Sequence, residues 1–347
     1  MSLGFRDQSP LSSLTRATLG LRRLSRRIAT AIVLFFLTCC SFGGAALAST
    51  ESRQSVIVVV GAEGESDFGK QFGTWSSRWE EAAKQADARL IRIGGITSDK
   101  PDRQMLEETL AHEATISTDT LWLVLIGHGT FDGRSAKFNL VGPDLAEVDL
   151  AQWLKPITRP VVVMNCSSCS SPFMNAITGP NRVVITATKS GHERNFSHFG
   201  EFLSTAITDP SADLDKDGQT SALEAYLSAG DRVARFYEEQ ARLATEHALL
   251  DDNGDGLGTP TDWFHGTRAI KTAKDGAAVD GIRANQLCLV RSERERLLSP
   301  ELRQRRDELE VQLAKLRAIK PTTDEAEYYE KVEAIVRKLA ELYEQAR

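Results

Sequence analysis

The chain is poor in sulfur and in rings: of its 347 residues five are Cys and four Met, and Phe, Trp and Tyr together make up 7%. Scarce Met argues against a Met-lined, calmodulin-like groove that opens for target helices. A basic surplus is missing too, with a net charge of -6 and a pI near 5.7. That balance excludes nucleic acid as the main partner, because phosphate binding needs excess Lys and Arg on one face. The apolar run near the amino terminus, Ala31–Leu37, falls well short of the ~20 residues that cross a bilayer, so no stable span is expected in the mature chain. A dinucleotide fingerprint fails as well. Gly61-Ala62-Glu63-Gly64 follows an apolar run but lacks the second glycine of G-x-G-x-x-G, which leaves a plain strand-to-helix turn.

The first 48 residues read as an export signal. Arg16, Arg22, Arg23, Arg26 and Arg27 form a basic region, Ala31–Leu37 an apolar run, and Ala46-Leu47-Ala48 a small-residue cleavage site. Ser25-Arg26-Arg27 hints at a twin-arginine route, and Leu37-Thr38-Cys39-Cys40 is a poor lipid-attachment site because Cys stands where a small residue belongs. The expected location is exported, periplasmic or extracellular. Cleavage after Ala48 leaves Cys166, Cys169 and Cys288, an odd number in an oxidising compartment, so at least one thiol stays free or pairs between chains.

Beyond the signal, short apolar runs alternate with helical periodicity. Ser55–Val60 precedes an amphipathic stretch over 68–86 with Phe72, Trp75 and Trp79 at helical spacing, and Leu90–Ile93, Leu121–Ile126, Val161–Met164 and Val183–Ala187 repeat the scheme with helices over 105–111, 173–177 and 199–207. The class is α/β, with a largely parallel sheet of about five or six strands covered on both faces. Past Asp209-Pro210 come Asp/Gly loops flanking a helical stretch over 223–250. Two amphipathic helices broken at Pro321 end the chain, a hairpin for packing on the core, self-association or partner binding.

Ligands of open α/β sheets bind outside the carboxyl ends of the strands. One strand there runs into Gly127-His128-Gly129 and another into Asn165-Cys166-Ser167-Ser168. If the strands are neighbours, an imidazole can raise the thiolate fraction of Cys166, and the N–H groups of Gly129 and Cys166 can bind an oxyanion. A lone Cys beside a strand is ordinarily a small buried hydrophobe, so the pair by itself leaves chemistry and structure both open. Cys166-x-x-Cys169 also admits a redox dithiol, though no thioredoxin-like pattern accompanies it.

Several ordered blocks resemble the caspase-like cysteine peptidases, the legumain family most closely. They are Ile126-Gly-His-Gly129, Gly142-Pro-Asp-Leu145, Leu150-Ala-Gln-Trp-Leu154, Val163-Met-Asn-Cys-Ser-Ser168 and Val184-Ile-Thr-Ala-Thr188 followed by Glu193, together spanning roughly 55–206. The resemblance implies a three-layer α/β/α sandwich and an endopeptidase acting on peptide or protein substrates. It makes Cys166 the nucleophile, His128 the base and Gly129 an oxyanion donor, and it places Thr186, Thr188 and Glu193 at the wall of the specificity pocket. Legumain-like enzymes carry Asn directly before the His, where this chain has Gly127. The third catalytic group is therefore open, Asn165 being the nearest amide. A non-catalytic binding module of the same fold is the other reading.

Asp213, Asp215, Asp217, Gln219, Ser221 and Glu224 stand at loop positions one, three, five, seven, nine and twelve of an EF-hand, with Gly218 at the sharp turn. Asp251, Asn253, Asp255, Gly256, Leu257 and Asp262 repeat the scheme with Asp for the terminal Glu. Bound calcium is expected, in a stabilising role at extracellular ion levels. The expected organisation is a signal over 1–48, an α/β core over 49–208, an EF-hand-like segment over 209–290 completing the domain, and a helical hairpin over 291–347.

Overall fold

The computed structural model describes residues 53–95, 98–116, 119–273 and 276–345; the export signal expected over 1–48 lies outside the described residues. In chain order the strands are β1 (Ser55–Val60), β2 (Arg89–Ile93), β3 (Leu121–Ile126), β4 (Gly129–Phe131), β5 (Ala136–Phe138), β6 (Leu145–Ala146), β7 (Val161–Asn165), β8 (Arg182–Thr186), β9 (Leu249–Asp251), β10 (Thr259–Pro260), β11 (Phe264–His265) and β12 (Arg268–Ala269). The helices are α1 (Ser66–Gln85), α2 (Asp102–Glu113), α3 (Glu147–Leu154), α4 (Ser171–Ile177), α5 (Phe199–Ala206), α6 (Ala222–Glu239), α7 (Ile282–Gln286), α8 (Glu293–Arg296), α9 (Pro300–Ala318) and α10 (Glu325–Gln345).

The main sheet runs β10-β9-β8-β7-β3-β1-β2. Its five strands from β2 to β8 are parallel, and β9 and β10 add an antiparallel edge. Every residue of β1, β3 and β7 is buried, because β-branched and aliphatic runs with no polar alternation need cover on both faces. Alternate residues serve the two layers. Val58, Val124, Val162 and Met164 pack with Phe72, Trp75 and Trp79 of α1, Phe199 and Leu203 of α5 and Tyr226 of α6. Ile57, Leu123 and Val163 pack with Leu106 and Leu110 of α2, Leu150 of α3 and Phe173 of α4. The three-layer α/β/α sandwich expected from the sequence is what the chain forms.

Two details depart from expectation. The helix expected over 223–250 stops at Glu239; Ala241 turns left-handed at φ 51°, and residues 249–251 leave to pair with β8. That strand takes the Asp-rich segment into the main sheet as part of its antiparallel edge. A second, three-stranded sheet, β4-β5-β6, follows directly on His128. The carboxy-terminal helices form as expected. Ser299 caps α9 by accepting from Leu302 N, and Pro300 sits in its first turn, where its missing N–H costs nothing. Arg306, against Glu295 of α8 at 2.5 Å, docks the hairpin on the core.

Candidate active site

Parallel pairing from Leu121↔Val161 to Leu125↔Asn165 sets the carboxyl ends of β3 and β7 side by side. Cys166 N continues the ladder, donating to Leu125 O at 2.9 Å. The loops 127–129 and 166–168 therefore meet at the ligand-binding edge of the sheet.

His128 is half-buried against Phe68, Phe72 and Phe196, with ring centroids at 4.9, 5.2 and 5.9 Å. Its Nε2 lies 3.3 Å from the carbonyl oxygen of Glu63, in the turn after β1. A carbonyl only accepts, so the ring hydrogen of this contact is on Nε2. The group that Nε2 faces is thus a main-chain oxygen, which no side-chain pattern announces. Asn165 does not fill that role. Its Oδ1 accepts from Ser167 N at 3.1 Å and Ser167 Oγ at 2.7 Å, fixing the loop after β7.

Gly129 admits no side chain, since a Cβ there would stand 2.1 Å from Ser168 O and 2.9 Å from Ser167 Oγ. Its N–H donates to Ser168 Oγ at 3.3 Å, and its carbonyl accepts from the same hydroxyl at 3.1 Å. The donor expected to meet an oxyanion is held by a serine.

Cys166 departs most from expectation. It is 1% exposed and packs in the α1/α5 layer. A Cβ on Gly200 of α5 would lie 2.8 Å from the Cys166 Cβ and 3.0 Å from the Trp75 ring, so α5 closes directly over this residue. The polar neighbour of Sγ is Met164 O at 4.0 Å; no hydrogen bond to His128 is formed. Burial, helped by the Glu246 carboxylate, pushes the thiol up to about 12, the reverse of the activation a thiol nucleophile needs. Cys169, held at φ 57° with its N–H on Glu193 O at 2.9 Å, is also buried, and burial raises its thiol. Both cysteines are free thiols.

The residues expected at the pocket wall are engaged by the protein itself. Thr186 and Thr188 are fully buried. Thr186 donates to Thr188 O at 3.0 Å, while Thr188 Oγ1 accepts from Ser170 N at 2.8 Å and so caps the start of α4. Glu193 spends its carboxylate on Lys189 N at 2.9 Å and on His247 Nδ1 at 2.6 Å, pinning the loop that carries Phe196.

Glu246 escaped the sequence reading. It is 2% exposed, and its carboxylate accepts from Ser197 Oγ at 2.6 Å, His198 N at 2.9 Å, Phe199 N at 3.1 Å and Tyr237 OH at 3.3 Å. The carboxylate staples the amino end of α5, and with it Phe196, over His128. Glu246→Ala orphans these donors and is expected to cost about 3 kcal/mol, a melting-point drop on the order of 6–12 °C. Amide exchange at 196–200 should quicken in the variant; an unchanged melting point and exchange rate would show that the staple holds nothing.

In the first acidic loop the ligand oxygens of Asp213, Asp215 and Glu224 lie within 4.8 Å of one another. Asp213 accepts from Asp217 N and Gly218 N, Asp217 accepts from Gln219 N, and Gly218 takes φ 91°. Ser221 caps α6, whose first turn carries Glu224; the buried Glu224 reaches back to Leu214 N at 2.7 Å and Ser221 N at 2.8 Å. Burial, then Glu224 and Asp217, raise the Asp215 carboxyl, as expected where like charges crowd together. Oxygen donors so gathered fit a hard divalent cation. The second loop repeats the wiring: Asp251 accepts from Gly256 N at 3.2 Å, Asn253 from Asp255 N at 2.8 Å and Asp255 from Leu257 N at 2.7 Å. Asp262, expected as its last ligand, instead pairs with Lys271 at 2.6 Å in an exposed turn.

No protein-family model matches the chain, and no curated protein matches it. Solved structures that overlay on it include the Drosophila initiator caspase Dronc, at 14% identity and a TM-score of 0.38, over 60% of this chain and 82% of that one. Others are drICE, at 11% and 0.36 over 54% and 85%, and caspase-1 from Spodoptera frugiperda, at 9% and 0.38 over 58% and 86%. Overlap this loose leaves family and chemistry to the chain's own geometry.

Proposed function

We propose that this protein is an exported, calcium-stabilised peptidase of the caspase/legumain type, which hydrolyses peptide bonds through an acyl-enzyme at the β3/β7 edge. One observation supports this reading above the rest. His128 has Nε2 on the Glu63 carbonyl, and its loop meets the loop that offers hydroxyl and thiol nucleophiles. Gly129, stripped of a side chain at the point of closest approach, is the oxyanion donor. The aromatic cover of Phe68, Phe72 and Phe196 makes the form described a closed one. The test is labelling of mature, reduced protein with peptidyl acyloxymethyl ketones and fluorophosphonates ending in Asn, Asp, Arg or Lys. Loss of labelling in His128→Ala supports the peptidase; no labelling by any probe sinks it and favours a non-catalytic binding module, which the deep burial of Cys166 would suit.

Calcium belongs to the same reading, held by the Asp213–Glu224 loop and by the second loop through Asp251, Asn253 and Asp255. At a Kd on the order of 10⁻⁴ M, about 2 mM calcium is expected to add about 1.8 kcal/mol, or roughly 4–7 °C in melting point. Asp213→Asn should lose most of the shift. Identical melting curves in calcium and in chelator would remove the metal from the proposal.

A further inference from the structure

We infer that the first calcium loop is the seat of the carboxy-terminal tail, so that filling the loop with calcium and docking the helical hairpin are one linked equilibrium. The inference rests on the calcium reading above and names what the ion controls.

Two ligand positions of the loop hold a distant stretch of chain. Ser221, at position nine, forms an antiparallel bridge with Cys288. The next N–H, that of Ala222, donates to Leu287 O at 2.8 Å, and Ser221 Oγ lies 3.3 Å from Asn285 Oδ1. Gln219, at position seven, accepts from Ser292 N at 3.1 Å through its side-chain oxygen; position seven of such a loop turns its main-chain carbonyl to the ion. Residues 285–288 and Ser292 therefore grip the loop at the same residues that complete its ligand set.

The hairpin stands on that stretch. Gln286 of α7 donates from Nε2 to Asp307 O at 3.0 Å and to Glu310 Oε2 at 3.1 Å, both on α9. Ser292 caps α8, whose buried Glu295 pairs with Arg306 of α9 at 2.5 Å. Arg303 of α9 donates to Leu298 O at 2.8 Å. With five and four residues, α7 and α8 are far below the length at which a helix holds itself in water, so their shape depends on what they pack against. The middle of the stretch has a seat of its own: Gln54 Nε2 donates to Leu289 O at 2.8 Å, and Arg291 pairs with Asp119 at 2.7 Å. Residues 289–291 are thus the fixed point, and 285–288 with 292–298 are the part that the loop controls.

The ligand oxygens of Asp213, Asp215 and Glu224 lie within 4.8 Å of one another, a separation at which like charges repel unless a cation lies among them. Loss of the ion lets the loop spread, and positions seven and nine move with it and loosen Ser292 and Cys288. What calcium adds to docking, docking adds to calcium affinity. In calcium-rich medium the hairpin stays on the core; where calcium is scarce it comes away.

The experiment is hydrogen exchange by mass spectrometry on the mature full chain, in calcium and in chelator, with calorimetry of calcium binding alongside. In chelator the amides of 285–288 and 292–298 are expected to exchange about tenfold or more faster than those of β1 and β3, because the tail opens without the core. About 2 mM calcium, at a Kd on the order of 10⁻⁴ M, should slow them about twentyfold, the full factor for an opening that releases the ion. Ser292→Pro removes the N–H that Gln219 accepts, at a φ of -62° that proline shares, and replaces no calcium ligand. It should quicken exchange over 293–298 about fivefold in calcium, whereas Ser292→Gly, which keeps the N–H and loses only the hydroxyl cap, should change it little. Calcium that binds without slowing the tail overturns the inference and leaves the calcium reading intact. So does a tail no faster than β1 and β3 in chelator, or equal exchange in the two variants. No heat of calcium binding overturns both.

Discussion

Iodoacetamide at about pH 8 will alkylate Cys166 of the folded protein at least a thousandfold more slowly than a free cysteine. A free thiol with pKa near 8.5 is roughly a quarter thiolate at that pH. A thiol pushed up to about 12 holds about one part in ten thousand, before hindrance by α5 is counted. The rate should rise about tenfold per pH unit well beyond the point where a free thiol levels off. Linkage gives the matching sign for stability. The thiol ionises more readily in the unfolded chain, so its contribution is complete below pH 9 and is lost as pH rises toward 12. Peptide mapping of timed alkylation, with Cys169 and Cys288 as internal references, measures the rate. Burial raises both of those thiols as well, so all three should be slow. Rapid modification of Cys166 alone would mean that the buried seat is not the populated one, and it would restore the cysteine nucleophile that the sequence resemblance implies.

The sandwich was legible because its central strands carry no polar alternation. Ser55–Val60, Leu121–Ile126 and Val161–Met164 are stretches that only a doubly covered sheet accommodates, and the Phe72, Trp75, Trp79 spacing marked α1. β9 was not legible. It is three residues long, ends in an acidic loop, and follows a helix that stops at Glu239 without a glycine or proline to mark the break. At the site, His128 and Gly129 stood out by residue type and position. The partner of the His128 ring did not, because Glu63 meets it through its carbonyl. Cysteine chemistry drew the eye to Cys166, yet strand parity held a warning: with Val162 and Met164 turned to one layer, residue 166 follows them into it. The threonines of Val184–Thr188 read as pocket wall because their hydroxyls look like recognition groups. Folding turns those hydroxyls inward, onto Thr188 O and the start of α4, where they order the loop leading into that helix.

Gly129→Ala will lower stability by about 3 kcal/mol, near the top of the range for overpacking, and the proposed peptidase activity is expected to be lost with it. The new methyl would stand 2.1 Å from Ser168 O, and a main-chain oxygen cannot rotate away. Relief requires moving either β4, which Gly129 opens, or the 166–168 loop. Either movement parts Ser168 Oγ from Gly129 N and withdraws the oxyanion donor from the imidazole. Gly73→Ala in α1, where a Cβ meets nothing within 4 Å, is the control, expected to be neutral or to stabilise by about 0.5–1 kcal/mol through helix propensity. Thermal unfolding and amide exchange of both variants separate the effects. A Gly129→Ala protein that melts like wild type and still hydrolyses peptides would show that the two loops are not in contact in the working enzyme. That result would remove the loop contact between Gly129 and Ser168 on which the proposed site rests.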